Sequence, residues 1–194
     1  MLTLHILLRK FVSFWIHVFR RLLTGFRVAL AKLVSQDAVI PWSTMIDRGA
    51  CIRVTDGGKL LLGEAVHIGE NSLIVSKAGV IKIGDNAVIG RGCVIVSQES
   101  ITIGVDALLG EYVSIRDQDH SFSRLPFSSA GYFTAPIVVG DNVWIGCKAS
   151  VLKGSSIGGN VVIGAHSLVK GSLPDSVVAV GTPARVIRSV GSLA

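Results

Sequence analysis

The sequence predicts an all-β solenoid, a three-sided parallel β-helix, preceded by an α-helical segment. Residues 139–174 form six consecutive hexads, and each hexad opens with an aliphatic residue. Glycine follows that residue in four of the six, and the two exceptions, Leu152 and Lys170, lie three hexads apart. One buried aliphatic residue every six positions fits neither a helix nor an alternating strand, but it fits short strands joined by tight corners. A corner type that recurs at every third hexad predicts three faces per turn, with turns stacked about 4.8 Å apart.

Residues 1–36 are expected to form one or two amphipathic helices, separate from the solenoid domain predicted over residues 37–190. Polar residues recur at steps of three or four, and large apolar residues fill the other face. The segment 1–35 carries six Lys and Arg residues and no acids. Its longest uncharged run around the aromatic residues, 11–19, is too short to span a bilayer, and no secretory cleavage site is expected.

Two roles are open for this basic amphipathic segment. In one, its apolar face packs on the end of the solenoid or on a partner subunit. In the other, it lies on the cytoplasmic face of an anionic membrane as a peripheral contact.

The ladder of aliphatic residues begins with a ragged turn at Ile40, Ile46 and Ile52 and becomes regular at Leu62. Five regular turns follow, making 15 hexads, and glycine follows the aliphatic residue in ten of them. We expect these glycines at corners, where they accept backbone angles that other residues avoid. The five hexads without glycine are every third one, and the substituting residues are Val75, Val96, Arg116, Leu152 and Lys170.

Three insertions follow hexads of the third face. Residues 80–82, 101–102 and 116–136 are predicted to leave the ladder as loops at one corner. Loops on one corner of a repeat protein are the usual place for function. The longest loop, 116–136, is therefore the first place to look for catalytic residues.

Charge and cysteine content exclude several classes of protein. The net charge is +6, yet beyond residue 35 the chain has 13 basic and 13 acidic residues, so the solenoid is neutral. We therefore expect no nucleic-acid partner. The scattered cysteines, Cys51, Cys93 and Cys147, form no CxxC pair, which predicts free thiols and a reducing, cytoplasmic compartment.

Four motifs carry a resemblance to a known family: GDNVWIG at 140–146, IGAHSLV at 163–169, VAVGTPARVIR at 178–188, and the long loop with its histidine. Over residues 62–188 the chain resembles the hexapeptide-repeat acyltransferases with a left-handed β-helix. The nearest pattern is that of the galactoside, maltose and xenobiotic O-acetyltransferase group. The resemblance implies a left-handed coil, a homotrimer, acetyl-CoA as co-substrate and no metal. Residues 1–36 do not match the helical N-terminal regions of the sugar acetyltransferases.

His120 is the only histidine in the long loop and the strongest candidate for catalysis. A neutral imidazole near pH 7 suits a general base, which is the role that the resemblance implies for it. Either Asp117 or Asp119 can orient the ring, and the sequence does not choose between them. His67 and His166 are expected to be solvated or at subunit contacts; they lie many turns apart, which argues against the three-histidine zinc site of a γ-type carbonic anhydrase.

The remaining site residues follow from the resemblance. It implies that the acceptor is bound by Glu99 and Trp144, although the acidic acceptor position of the sugar acetyltransferases falls only near Gln98 and Glu99. It also implies that a backbone N–H of Gly110 or Cys147 supports the oxyanion. The cofactor-binding positions that it implies are Gly110, Trp144, Cys147, Ala165, Lys170, Arg185 and Arg188.

These observations predict an acetyl-CoA-dependent O-acetyltransferase that acts on a sugar hydroxyl by direct transfer, in a groove between subunits. The basic N-terminal segment favours a surface-polysaccharide or lipid-linked precursor at the inner membrane as acceptor. Two alternatives remain: an N-acetyltransferase of an amino sugar or small molecule, and a catalytically inactive, membrane-associated scaffold.

Overall fold

The computed structural model describes residues 11, 12, 15, 22–35 and 37–191, which form a helix followed by a coil of short strands. Residues 22–34 form an α-helix, α1, and residues 11, 12 and 15 are also helical. The other parts of the helical segment predicted over 1–36 lie outside the described residues. Within the described part of the chain, no helix is long and apolar enough to cross a bilayer.

The coil is built from short strands, many of them two residues long. In chain order they are β1 (Ala38–Val39), β2 (Met45–Ile46), β3 (Cys51–Thr55), β4 (Lys59–Leu62), β5 (His67–Ile68), β6 (Leu73–Lys77), β7 (Val80–Ile83), β8 (Val88–Ile89), β9 (Val94–Ser97), β10 (Ser100–Ile103), β11 (Leu108–Leu109), β12 (Ser114–Arg116), β13 (Gln118–His120), β14 (Tyr132–Thr134), β15 (Ile137–Val139), β16 (Trp144–Ile145), β17 (Ser150–Leu152), β18 (Ser156–Ile157), β19 (Val162–Ile163), β20 (Leu168–Val169), β21 (Ser172–Leu173), β22 (Val177–Gly181) and β23 (Ala184–Ser189), with a 3₁₀ turn at Phe127–Ser129.

Three parallel sheets form the faces of the coil. Sheet A is β1-β4-β7-β10-β15-β18-β21, sheet B is β2-β5-β8-β11-β16-β19-β22, and sheet C is β3-β6-β9-β12-β17-β20. Successive strands of the coil pass from A to B to C, so three strands make one turn. Strand β23 adds to sheet B as an antiparallel edge strand. The predicted left-handed β-helix of hexapeptide repeats is confirmed.

The aliphatic residues that open the hexads are stacked inside the coil. On sheet B, Ile68, Ile89, Leu109, Ile145 and Ile163 are in register on successive strands and at most 1% exposed. Burial of each such side chain contributes about 1.5–3 kcal/mol, so these columns are the main stabilising element of the coil. The hexads without glycine all belong to sheet C, as the three-face prediction requires.

The expected reason for the repeated glycines was wrong. Gly140 does not have a positive φ; the left-handed corner conformation is taken two residues later by Asn142, with φ 53°. A Cβ on Gly140 would lie 2.7 Å from the carbonyl carbon of Gly158, and one on Gly84 would lie 2.6 Å from the nitrogen of Val105. Glycine is therefore required because the backbone of the next turn passes too close for any side chain.

Two of the three predicted loops are strands. Residues 80–82 and 101–102 belong to β7 and β10, which pair in register within sheet A. Their sequences alternate, so Ile81 and Ile101 are fully buried and extend the core. This period of two, which is typical of a strand with one buried face, explains why the extra residues do not loop out.

Residues 116–136 do leave the coil, as predicted. Strands β13 and β14 form an antiparallel hairpin with the register Gln118–Thr134, Asp119–Phe133 and His120–Tyr132. The chain leaves after β12 of sheet C and returns at β15 of sheet A, so the hairpin projects from the edge between these two sheets.

Helix α1 covers the N-terminal end of the coil. Val28 is fully buried in the core cluster, and Ala31 packs against that cluster. Arg27 Nη1 donates a hydrogen bond of 3.2 Å to the carbonyl oxygen of Ile46, and Lys32 Nζ lies 4.6 Å from the ring centroid of Trp42. One face of the helix is thus attached to the first turn.

Candidate active site

His120 ends β13 and presents an exposed imidazole on the hairpin. Directly across the hairpin is Tyr132, whose ring centroid lies 4.5 Å from that of His120 with an interplanar angle of 42°. Cross-strand neighbours on one face of an antiparallel pair are close enough for such contacts. Tyr132 therefore restricts the orientation of the imidazole, and the sequence analysis did not identify it, because the pairing depends on the hairpin register.

Asp117 anchors the base of the hairpin. Its carboxylate is fully buried. It accepts hydrogen bonds from Ser97 Oγ at 2.6 Å and from the backbone N–H groups of Gln98 at 2.8 Å and Glu99 at 2.9 Å. Its own carbonyl oxygen accepts from the N–H of Ala135 at 3.0 Å, where the hairpin returns to the coil. One carboxylate thus closes a corner of the coil and fixes the start of the hairpin.

Asp119 is turned toward the coil. Its Oδ2 lies 3.7 Å from Lys153 Nζ, and both side chains are partly solvated. The neighbouring Gly154 N–H donates to the carbonyl oxygen of Ala135 at 3.2 Å, so the same segment supports both strands of the hairpin. Within the described residues, neither predicted aspartate forms a hydrogen bond with the imidazole of His120.

A second group of predicted residues lies along the edge between sheets B and C. Gly110, Cys147 and Ala165 occupy this edge on successive turns: a Cβ on Gly110 would lie 2.7 Å from the Cys147 nitrogen, and one on Gly146 would lie 2.5 Å from the Ala165 nitrogen. Successive turns are therefore closely stacked along this edge, with no room for a side chain at Gly110 or Gly146.

The hydrogen bonds at this edge show which backbone N–H, that of Gly110 or that of Cys147, is available to bind an oxyanion. The N–H of Gly110 is engaged in the ladder, donating to the carbonyl oxygen of Ile145 at 2.8 Å. The N–H of Cys147, like that of Ala165, has no acceptor among the described residues. At the edge between sheets A and B the corresponding donors are capped by carboxylates, as where the Gly159 N–H donates to Asp175 Oδ1 at 2.7 Å. Of the two backbone N–H groups considered, that of Gly110 is not available to an oxyanion, whereas that of Cys147 is.

The other predicted residues are spread over the C-terminal half of the coil. Trp144 is 52% exposed on β16 of sheet B, between Leu108 and Val162 on the adjacent strands. Lys170 is exposed just after β20. Arg185 and Arg188 lie on β23, opposite Val180 and Val178. Glu99 is exposed at the corner between sheets C and A, beside the base of the hairpin.

The predicted site is therefore divided within one chain. His120 and Glu99 belong to the edge between sheets C and A, whereas Cys147 and Ala165 belong to the edge between sheets B and C. These are two different edges of a three-sided prism. Two copies placed edge to edge can bring the two halves together.

The remaining histidines and cysteines have other surroundings. His67 Nε2 lies 2.9 Å from Asp47 Oδ2, and His166 is exposed at a corner with φ 59°. All three cysteines are free. Burial raises the pKa of the Cys93 thiol to about 11, which keeps this thiol protonated near neutral pH. Among the described residues, no three His, Cys, Asp or Glu side chains form a group that could hold a metal ion.

Comparison with known proteins places these features in a family context. Residues 136–171 match the family model described as bacterial transferase hexapeptide (six repeats). The chain is 34% identical over 128 residues to the galactoside O-acetyltransferase of Escherichia coli, covering 63% of each protein. It is 37% identical over 119 residues to the E. coli protein named "Putative lipopolysaccharide biosynthesis O-acetyl transferase WbbJ", covering 57% of this chain and 61% of that protein. The chain spans 61–63% of the length of these two curated relatives.

A solved structure supports the fold. The crystal structure of AntD, an N-acyltransferase from Bacillus cereus in complex with dTDP and 3-hydroxybutyryl-CoA, superposes with a TM-score of 0.72 at 24% identity, covering 84% of this chain and 87% of AntD. The recognition made from the sequence motifs is thus confirmed: part of the coil matches the hexapeptide transferase model, and relatives named as O-acetyltransferases are 34–37% identical to the chain.

Proposed function

We propose that the protein is an acetyl-CoA-dependent O-acetyltransferase that acts on a sugar hydroxyl. The observation that carries the proposal is the exposed imidazole of His120, which lies against the tilted ring of Tyr132 at the end of a hairpin strand whose base is anchored by Asp117. A group held in this way and open to solvent can meet an incoming hydroxyl. An imidazole also has the proton affinity that a general base needs near neutral pH.

In the proposed reaction a ring nitrogen of His120 accepts the proton of the acceptor hydroxyl. The hydroxyl oxygen forms a bond to the acetyl carbonyl carbon, the carbon–sulfur bond breaks, and the proton passes from His120 to the departing thiol. We assign the N–H of Cys147 to the carbonyl oxygen, because this N–H, unlike that of Gly110, has no acceptor among the described residues. Asp117 and Asp119 hold the hairpin instead of pairing with the imidazole.

We assign the extended arm of CoA to the stretch of edge formed by Cys147 and Ala165. Its two unengaged N–H donors suit amide or thioester carbonyl oxygens, and Trp144 lies on the adjoining face. We assign the phosphates of the nucleotide end to Lys170, Arg185 and Arg188, since cations of this kind form charge-assisted bonds with phosphate.

Because the two halves lie on different edges, we propose that the site forms between adjacent copies, in the homotrimer that the resemblance implies. His120 and Glu99 of one copy would face the CoA groove of the next, with Trp144 near the acceptor. The two sugar O-acetyltransferase relatives support a sugar acceptor, and the lipopolysaccharide relative favours a surface-polysaccharide or lipid-linked precursor. Such a precursor places the enzyme on the cytoplasmic side of the inner membrane, with residues 1–36 as its peripheral contact.

The test is thiol release from acetyl-CoA with pooled sugar acceptors, comparing the wild type with His120→Gln. Loss of a general base is expected to lower kcat by about 10²–10⁴-fold. His67→Gln, a histidine paired with Asp47 on sheet B, is the matched control and should retain the wild-type rate. Equal rates for wild type and His120→Gln would remove the general-base role.

The acceptor panel also separates the alternatives. Acetyl transfer to amino sugars but not to hydroxyl acceptors would replace the O-acetyltransferase by an N-acetyltransferase. CoA binding to the wild type without turnover on any acceptor would favour the inactive scaffold.

A further inference from the structure

Helix α1 has two faces, and only one of them is used by the coil. At 100° per residue, Val28 and Ala31 lie on the side that packs on the core, within about 60° of each other. Leu22, Phe26, Leu30 and Leu33 fall within about 80° on the opposite side. These four residues are 68%, 67%, 49% and 76% exposed. We call them the outer face of α1.

The outer face is apolar without interruption, and the two charged residues of α1 lie off it, beside the buried stripe. Arg27 and Lys32 lie on either side of the buried stripe, where they contact Ile46 and Trp42. Trp42 itself is 67% exposed at the same end of the coil. A soluble protein rarely exposes so many large apolar residues on one side of a helix unless that side meets a partner.

The charge pattern indicates what that partner is. Residues 1–35 hold six cations and no anions, while the rest of the chain has 13 of each. An apolar helix face within a segment that carries cations and no anions matches the interfacial layer of an anionic bilayer, where apolar side chains enter the acyl boundary and cations meet lipid headgroups. A second copy of this chain would bring six cations against six, which disfavours a contact between two such segments.

We propose that the outer face of α1 docks on the surface of an anionic lipid membrane, with Trp42 at the interface. The N-terminal end of the coil then faces the bilayer, because α1 is attached to that end through Val28 and Arg27. The docking supplies the membrane contact assumed for the acceptor above, but it does not depend on acetyl transfer. Its test therefore succeeds or fails separately from the proposed activity.

The experiment uses the full chain, because removal of α1 would uncover the core around Val28. Sedimentation is measured with vesicles of phosphatidylcholine alone and of phosphatidylcholine with one-quarter phosphatidylglycerol. The variant Phe26→Gln/Leu30→Gln/Leu33→Gln leaves net charge and helix length unchanged. Val138→Thr, which makes an exposed apolar residue of sheet A polar, is the matched control.

The wild type and Val138→Thr are expected to bind the anionic vesicles at least tenfold more tightly than the triple variant, and to bind neutral vesicles weakly. Equal binding of all three proteins would overturn the proposal. A fall in the oligomer mass of the triple variant, measured by light scattering without lipid, would assign the outer face to a subunit contact and would also overturn it.

A second measurement does not rely on the folding of the triple variant. In Trp15→Phe/Trp144→Phe, Trp42 is the remaining tryptophan, and brominated lipids quench an indole that lies at the acyl boundary. Quenching in anionic vesicles and its absence in neutral ones are expected. An unquenched Trp42 in both would overturn the proposed orientation of the coil.

Discussion

At the scale of single residues, Asp117 and Asp119 differ in almost every physical respect although they stand two positions apart. The Asp117 carboxylate is buried and accepts three hydrogen bonds, two of them from backbone donors. The Asp119 carboxylate is exposed and meets one lysine at 3.7 Å. The two carboxylates differ because of their positions in the fold. Asp117 lies at the corner where the chain leaves the coil, whereas Asp119 lies within the projecting hairpin.

The two aspartates therefore predict different stability losses. Asp117→Asn replaces an acceptor by an N–H₂ group that faces other donors, which is expected to cost about 1–3 kcal/mol and to loosen the hairpin that bears His120. Asp119→Asn is expected to cost at most about 1 kcal/mol, because it removes one solvated ion pair. Urea unfolding and kcat, measured on both variants, check the difference. Equal losses would contradict the assignment of Asp117 as the anchor.

At the scale of elements, glycine has different roles in the coil and in helix α1. Gly140 lacks a side chain because the backbone of the next turn lies where a Cβ would be. Gly25, in α1, has open space around it, and a Cβ there would meet nothing within 4 Å. The first glycine is required by the stacking of turns, whereas the second only weakens a helix.

Alanine at these two positions is predicted to act in opposite directions. Gly140→Ala places a Cβ 2.7 Å from the carbonyl carbon of Gly158 and should lower the melting temperature by several degrees. Gly25→Ala should stabilise α1 by about 0.5–1 kcal/mol, since alanine has the higher helix propensity. Thermal unfolding followed by circular dichroism measures both. A neutral Gly140→Ala would show that the turns can move apart.

At the scale of the whole molecule, the arrangement of edges decides how an active site can be completed. The hairpin with His120 leaves the edge between sheets C and A, whereas Cys147 and Ala165 lie along the edge between sheets B and C. A cyclic trimer repeats one heterologous contact three times, so each of its interfaces can join one edge of each kind.

Mixing two inactive variants tests this arrangement. His120→Ala removes the proposed base, and Ala165→Trp places a bulky side chain at an exposed position of the proposed CoA site. If each site uses two chains, trimers refolded from an equal mixture should recover about a quarter of the wild-type activity, because half of the chains supply each intact part. If one chain formed the whole site, the mixture would stay inactive. Each variant alone, refolded in the same way, is the control.

Much of the fold could be predicted from the sequence because its repeat is local. The six-residue period, the aliphatic residue in each hexad and the missing glycines at every third hexad predicted the three faces and the buried columns. His120 was chosen by its place in the longest loop. The basic character of residues 1–35 could also be predicted, because this segment has six Lys and Arg residues and no acidic residue.

Other features depended on contacts between turns, which no local pattern contains. Only the stacked coil shows that the glycines make room for the next turn, that Asp117 caps the corner at Gln98, and that Cys147 rather than Gly110 keeps an unengaged N–H. Tyr132 meets His120 through the hairpin register, and α1 divides its apolar residues between the core and the outside through the packing of Val28. A repeat in the sequence determines which residues are buried within a turn, whereas the register between turns and edges determines which groups meet.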